Sequence, residues 1–206
     1  MHSLLHRPPS PGSLRSRLRR WGAPALFGVW FAASSLLGAW TVAQHVLPLP
    51  AARPAAAPAG PRPQAWHVLG SDCGCSASVA DELAARRPRA GWIEQVWLVG
   101  DEPAIAAQLR QAGFSVERVD AEVLAREHGI QGAPWLVLFE AGGRTTYSGG
   151  YSRGRPGLAG SVSALPALMD AAETGQAVTA LPAYGCATSE ALRQRLDPLH
   201  LKYASP

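Results

Sequence analysis

From Trp21 to Leu47 the chain runs 27 residues without a single Asp, Glu, Lys or Arg. Phe27, Val29, Trp30, Phe31, Leu36, Leu37, Trp40 and Val42 supply most of its hydrophobicity. A helix needs roughly 20 apolar residues to cross the hydrocarbon core of a bilayer, so residues 21–47 are expected to be a transmembrane anchor, with Trp21 and Trp40 near the interfaces. The preceding residues 1–20 carry Arg7, Arg15, Arg17, Arg19 and Arg20 and no acid. That asymmetry makes them a cytoplasmic basic tail and puts everything after Leu47 outside. A cleaved signal peptide is the alternative, because small residues follow at Ala51, Ala52 and Ala55–Ala57. Signal cores are shorter, roughly 7 to 15 residues. Either way the remainder is exported.

Residues 48–63 (PLPAARPAAAPAGPRP) have no hydrophobic period and read as a Pro/Ala-rich linker, an extended spacer off the membrane. The first acidic residue is Asp72, whereas seven of the 19 basic residues lie before Pro63. The rest therefore carries twelve basic against fifteen acidic side chains. The pI of about 9.3 belongs to the membrane flank and is no sign of nucleic-acid binding.

About 140 residues remain, enough for one cored domain. Trp66–Leu69 and Val96–Val99 read as short buried strands. Cys75–Arg87 reads as a helix, with Val79, Leu83 and Arg86 on one side and Pro88 beyond it. Asp101 is expected to cap a helix ending at Gly113, and Asp120 another that stops at Gly129. Phe114, Val116 and Val119 alternate between them as a strand. Trp135–Phe139 is the strongest strand signal, turned back by Ala141-Gly142-Gly143 into Arg144–Ser148. Leu158–Glu173 is expected to be helical, kinked or started at Pro166, and Ser189–Leu196 is a short final helix.

Strands alternating with helices, then a hairpin and a helix, imply an α/β domain with a mixed sheet covered on both faces. The order of strand, cysteine motif opening a helix, strand, helix, then Gly129-Ile130-Gln131-Gly132-Ala133-Pro134 leading into the hairpin resembles the thioredoxin-like superfamily. The likeness covers residues 64–174, leaves 175–206 as a C-terminal helical extension, and is closest to small membrane-anchored bacterial members. It implies a cis Ala133–Pro134 bond lying against the cysteine motif. It also implies that Cys73 is the nucleophile, that Cys75 resolves the mixed disulfide, and that the edge at Ala133 and Pro134 binds an extended stretch of partner polypeptide.

Cys73-Gly74-Cys75 has a physical use at a helix start. The dipole and free N–H groups stabilise thiolate, which makes the sulfur a nucleophile at neutral pH. Outside the membrane such thiols meet an oxidising compartment. Redox members of this superfamily usually carry two residues between the cysteines, and this chain carries one. A disulfide closing so small a ring is strained and more oxidising. In a second alignment Cys75 is the lone nucleophile, Ser78 takes the second position and Cys73 is a helper.

Cys186, just before the last helix, is either a buried hydrophobe or a third redox thiol. The rival chemistry is a soft-metal assembly factor in which these sulfurs clamp Cu(I). His67 and His128 qualify as ligands by residue type alone. Two methionines and no His-rich tract weaken a copper-carrier reading. A catalytically silent interaction module is the third possibility. Arg153 and Arg155 form a small basic loop, read as solvated. The expected function is thiol–disulfide exchange without a bound cofactor. It would act on thiol-containing exported proteins, with an unidentified redox partner, in the periplasm at the bacterial inner membrane.

Overall fold

The computed structural model describes residues 14–46, 48–176, 178–198 and 203; residues 1–13 of the basic tail and Leu47 lie outside them. The chain forms two compact units, Met1–His45 and Val46–Pro206. In the first, helix α1 (Leu14–Val46) contains Gly22–Trp40, a stretch long and apolar enough to cross a membrane. Its Leu26, Phe27, Val29, Trp30, Phe31, Leu36 and Leu37 are exposed, a surface suited to hydrocarbon rather than water. The Ser34 hydroxyl donates to the Trp30 carbonyl at 2.9 Å, so it needs no water within that stretch.

The second unit is built on a five-stranded sheet: β1 (Gln64–Gly70), β2 (Ile93–Val99), β3 (Ser115–Arg118), β5 (Trp135–Phe139) and β6 (Thr145–Gly149). Their spatial order is β3-β2-β1-β5-β6. The first three are parallel, β5 runs antiparallel to β1, and β6 antiparallel to β5. A two-residue strand β4 (Gly132–Ala133) pairs separately with β7 (Cys186–Ala187). The helices are α2 (Gly74–Arg86), α3 (Pro103–Gln111), α4 (Ala121–His128), α5 (Leu165–Glu173) and α6 (Glu190–Leu196). The expected α/β mixed sheet flanked by helices is what the chain forms.

Strand periodicity divides the core in two. Ala65 and Leu69 of β1 and Leu136 and Leu138 of β5 face Val79 and Leu83 of α2, Leu109 of α3, and Leu165 and Met169 of α5. Trp66 and Val68, with Trp135, Val137 and Phe139, face the other way, toward Leu124 of α4 and Leu192 of α6. On that side Trp66 packs on Trp97 with ring centroids 4.1 Å apart and edge-on to Phe139 at 4.4 Å.

The Pro/Ala stretch 48–63 is not a free spacer but a strap along this second face. Leu49, Ala52 and Ala57 are buried in its core. The Leu49 N–H donates to the Ala183 carbonyl at 2.7 Å, that of Ala57 to Gly143 at 3.1 Å, and that of Gly142 to Gly60 at 2.9 Å. The eight residues of α4 are too few to cover such an aromatic surface. A proline-rich segment, already restricted in φ, docks there at low entropic cost. Burying Leu49 alone contributes about 2 kcal/mol.

Two helix starts also differ from expectation. Glu102, not Asp101, is the N-cap of α3, and it makes no side-chain cap hydrogen bond; Asp101 instead pairs with Arg118 at the end of β3. The helix expected from Leu158 begins at Leu165, with Pro166 in its first turn. Gly157 and Gly160 take positive φ (82° each), a conformation that no α-helix accommodates.

Candidate functional site

Cys73 is the N-cap residue of α2, and Cys75 lies in its first turn. Both are buried, Cys186 is half-buried, and no disulfide joins any of the three. Opposite α2 the Ala133–Pro134 peptide bond is cis. Cys73 Sγ lies 3.5 Å from the Ala133 carbonyl oxygen, so the cysteine motif and the proline edge lie together.

The edge itself is occupied. Ala133 pairs antiparallel with Cys186, and Gly132 with Ala187. The edge expected to receive a partner polypeptide is thus covered by the chain's own C-terminal segment. Gly185 makes the approach possible. A Cβ on it would stand 1.9 Å from the Ala133 oxygen and 2.7 Å from Pro134 Cδ. The segment is held from both sides, by Leu49 N–H to Ala183 at 2.7 Å and by Thr188 N–H to the Gln131 carbonyl at 2.8 Å.

Cys186 thus lies against the motif although 113 residues separate it from Cys73. Hydrogen bonds from the Cys186 and Cys75 thiols, joined by the Ser76 N–H and hydroxyl, hold the Cys73 thiol far below its ordinary pKa against the opposing effect of burial. Cys75 moves the other way. Its bond to Cys73 and its burial favour the protonated form, and Arg155 only partly offsets them. The hydrogen bonds thus favour ionisation at Cys73 over Cys75. Ser78 turns its hydroxyl back to the Gly74 carbonyl of its own helix at 3.1 Å.

Arg155, expected to be solvated, instead points a guanidinium N–H at Cys75 Sγ, 3.8 Å away. Its loop carries no local pattern that marks this contact. Beside it opens a cavity of about 640 Å³, lined by Arg153, Arg155, Leu158, Val162 and Leu168 among others.

The sequence also gave no sign of a buried ionic network beneath the sheet. His67 of β1 is fully buried, with Nε2 2.9 Å from Glu94 Oε2 and Nδ1 2.9 Å from the Tyr151 hydroxyl. Glu94 also accepts from Arg86 and, at 2.5 Å, from the Arg89 N–H. Burial lowers the His67 pKa despite the Glu94 hydrogen bond. The neutral ring then donates through Nε2 to the carboxylate and accepts from Tyr151 through Nδ1. Burial would raise Glu94, but His67 and Arg86 together hold it down at about 2. His67 is thus committed to structure at both nitrogens. His128 packs against Trp66 and Trp97, 5.2 and 5.3 Å between centroids.

Cys75 and Cys186 both contact Cys73. Among the described residues no group of three or more His, Cys, Asp or Glu is arranged to hold a metal ion.

No protein-family model matches the chain. No curated protein matches it either. Two solved structures are similar over part of the fold. A hypothetical protein from Sinorhizobium meliloti is 20% identical at TM-score 0.48, covering 62% of this chain and 79% of its own. An uncharacterized conserved protein from Geobacillus kaustophilus is 15% identical at TM-score 0.45, covering 63% and 77%.

Proposed function

We propose that this chain is a thioredoxin-like thiol–disulfide exchange protein, anchored in the bacterial inner membrane by α1 and acting on exported protein thiols in the periplasm, with Cys73 as nucleophile. The observation that carries the reading is the placement of Cys73 at the start of α2, 3.5 Å from the Ala133 carbonyl beside the cis Ala133–Pro134 bond; hydrogen bonds from Cys186 and Cys75 there lower its pKa. A thiolate attacks a disulfide sulfur, and a neighbouring thiol then resolves the mixed disulfide. Stabilising the thiolate favours the reduced protein, so its disulfide form would oxidise its partners. The arginines before α1 support the outward orientation.

Alkylation of the full-length protein in detergent tests this. The rate at Cys73, followed by peptide mass spectrometry, should stay level from about pH 8 to about pH 5, whereas an ordinary thiol with a pKa of about 8.5 loses roughly tenfold per unit. A tenfold loss per unit at Cys73 overturns the reading. So does exchange with oxidised glutathione that survives Cys73→Ser.

A further inference from the structure

We infer that Cys186, rather than Cys75, is the thiol that resolves the mixed disulfide on Cys73, so that the oxidised protein carries a Cys73–Cys186 disulfide joining the start of α2 to β7. The inference rests on the exchange reading above and assigns the second half of that reaction.

Three observations lead here. Strand pairing sets Cys186 directly across from Ala133, and the Ala133 carbonyl lies 3.5 Å from Cys73 Sγ. Directly opposed residues of an antiparallel pair have Cα atoms about 4.5–5.5 Å apart, so β7 delivers its cysteine to the nucleophile's neighbourhood. The absent side chain of Gly185 is what lets β7 come this close. Second, Cys186 is half-buried whereas Cys73 and Cys75 are 3% and 5% exposed. A resolving thiol must shed its proton to attack, and burial opposes that ionisation. Cys75 is further biased toward its protonated form, as the donor to Cys73. Third, Cys75 belongs to the first turn of α2, so a Cys73–Cys75 bond would close a small ring through a helix start. A Cys73–Cys186 bond instead joins two segments that other hydrogen bonds already hold in place.

The chemistry balances without a further reagent. The Cys73 thiolate attacks one sulfur of a partner disulfide, and the other sulfur leaves as thiolate with the bonding pair. Cys186 releases its proton to solvent and attacks Cys73 Sγ, expelling the second partner thiolate. The partner disulfide becomes two thiols, and Cys73 and Cys186 become one disulfide. Run in reverse, the same steps give that disulfide to a partner dithiol. Cys75 remains a thiol throughout and acts as a positioning residue that stabilises the Cys73 thiolate.

Limited oxidation of the reduced full-length protein with one equivalent of oxidised glutathione tests this, followed by acid quench, alkylation and peptide mapping. The expected product cross-links the Cys73 peptide to the Cys186 peptide and leaves Cys75 alkylated, and the same cross-link should form in Cys75→Ser. Cys186→Ser should accumulate the Cys73–glutathione adduct at least tenfold over the unsubstituted protein. If Cys73 is glutathionylated but the internal disulfide maps to Cys73–Cys75, the exchange reading stands and this inference is overturned. If Cys73 forms no adduct and no disulfide, both fall.

Discussion

Helices α2 and α4 begin alike and use their first residue differently. Asp120, the N-cap of α4, accepts hydrogen bonds from the N–H groups of Glu122 and Val123 through one oxygen, at 2.9 and 3.0 Å. Cys73, the N-cap of α2, also has an extended backbone, but presents a sulfur where Asp120 presents a carboxylate. At α4 the helix start is spent on stability, about 1 kcal/mol for a good cap. At α2 the Ser76 N–H and hydroxyl and two further thiols favour a charged sulfur instead. The far end of α2 compensates, because Arg86 is tied to Glu94 and through it to the buried His67. A reactive start is affordable on a helix pinned at its other end.

The largest effect should come from Cys73→Ser. Glutathione exchange should fall to background while stability to urea stays within about 1 kcal/mol of the original, since serine is the better cap. A large loss of stability instead would show that the sulfur is part of the packing and that the two helix starts do not differ as described.

Glu94→Gln attacks the pinned end. Removing the negative charge and one of the two acceptor oxygens leaves the Arg86 charge uncompensated and one donor of the network unpaired, at a cost of about 2–4 kcal/mol by urea denaturation. The pH dependence sharpens this. His67 lies below its ordinary value of 6.5 in the fold, and Glu94 is held at about 2 rather than 4.5. Both groups therefore take up protons more readily when unfolded, so stability should fall as the pH drops below 6.5 and fall further from 4.5 toward 2. The lower limb should be shallower in Glu94→Gln. Acid curves of equal slope would remove Glu94 from the account.

Asp120→Ala should cost about 1 kcal/mol and leave Cys73 alkylation unchanged at every pH. The smallest effect is expected at the end of α2, where Arg87 sits at φ 62° and ψ 169°, a region suited to glycine. Arg87→Gly should stabilise by about 1 kcal/mol, seen as a raised urea midpoint, with exchange unaltered.

Most of the regular structure was legible because its signals are short-range. The Asp120 cap and Gly129 stop of α4, the run Trp135–Phe139 and the helix after Cys73 each depend on neighbours within one or two turns. Asp101 misled because an exposed carboxylate can either cap a helix or pair with a distant cation, and Arg118 is near it only in the fold. The strap misled for a related reason. Its composition gives stiffness, but nothing within residues 48–63 reveals that a sheet face of Trp66, Trp135 and Phe139 awaits cover.

The sequence by itself determined an apolar N-terminal helix, an α/β order of elements and two cysteines at the start of α2. Periodicity, caps and turn residues act locally and can be read along the chain. Only the tertiary structure decided that Cys186 closes on Cys73 across the cis Ala133–Pro134 edge, that Arg155 reaches Cys75, and that His67, Glu94 and Arg86 meet beneath the sheet. Those meetings follow from strand register and from the packing of segments up to 113 residues apart. Hydrogen bonding then biases which of three chemically identical thiols ionises, against the opposing effect of burial.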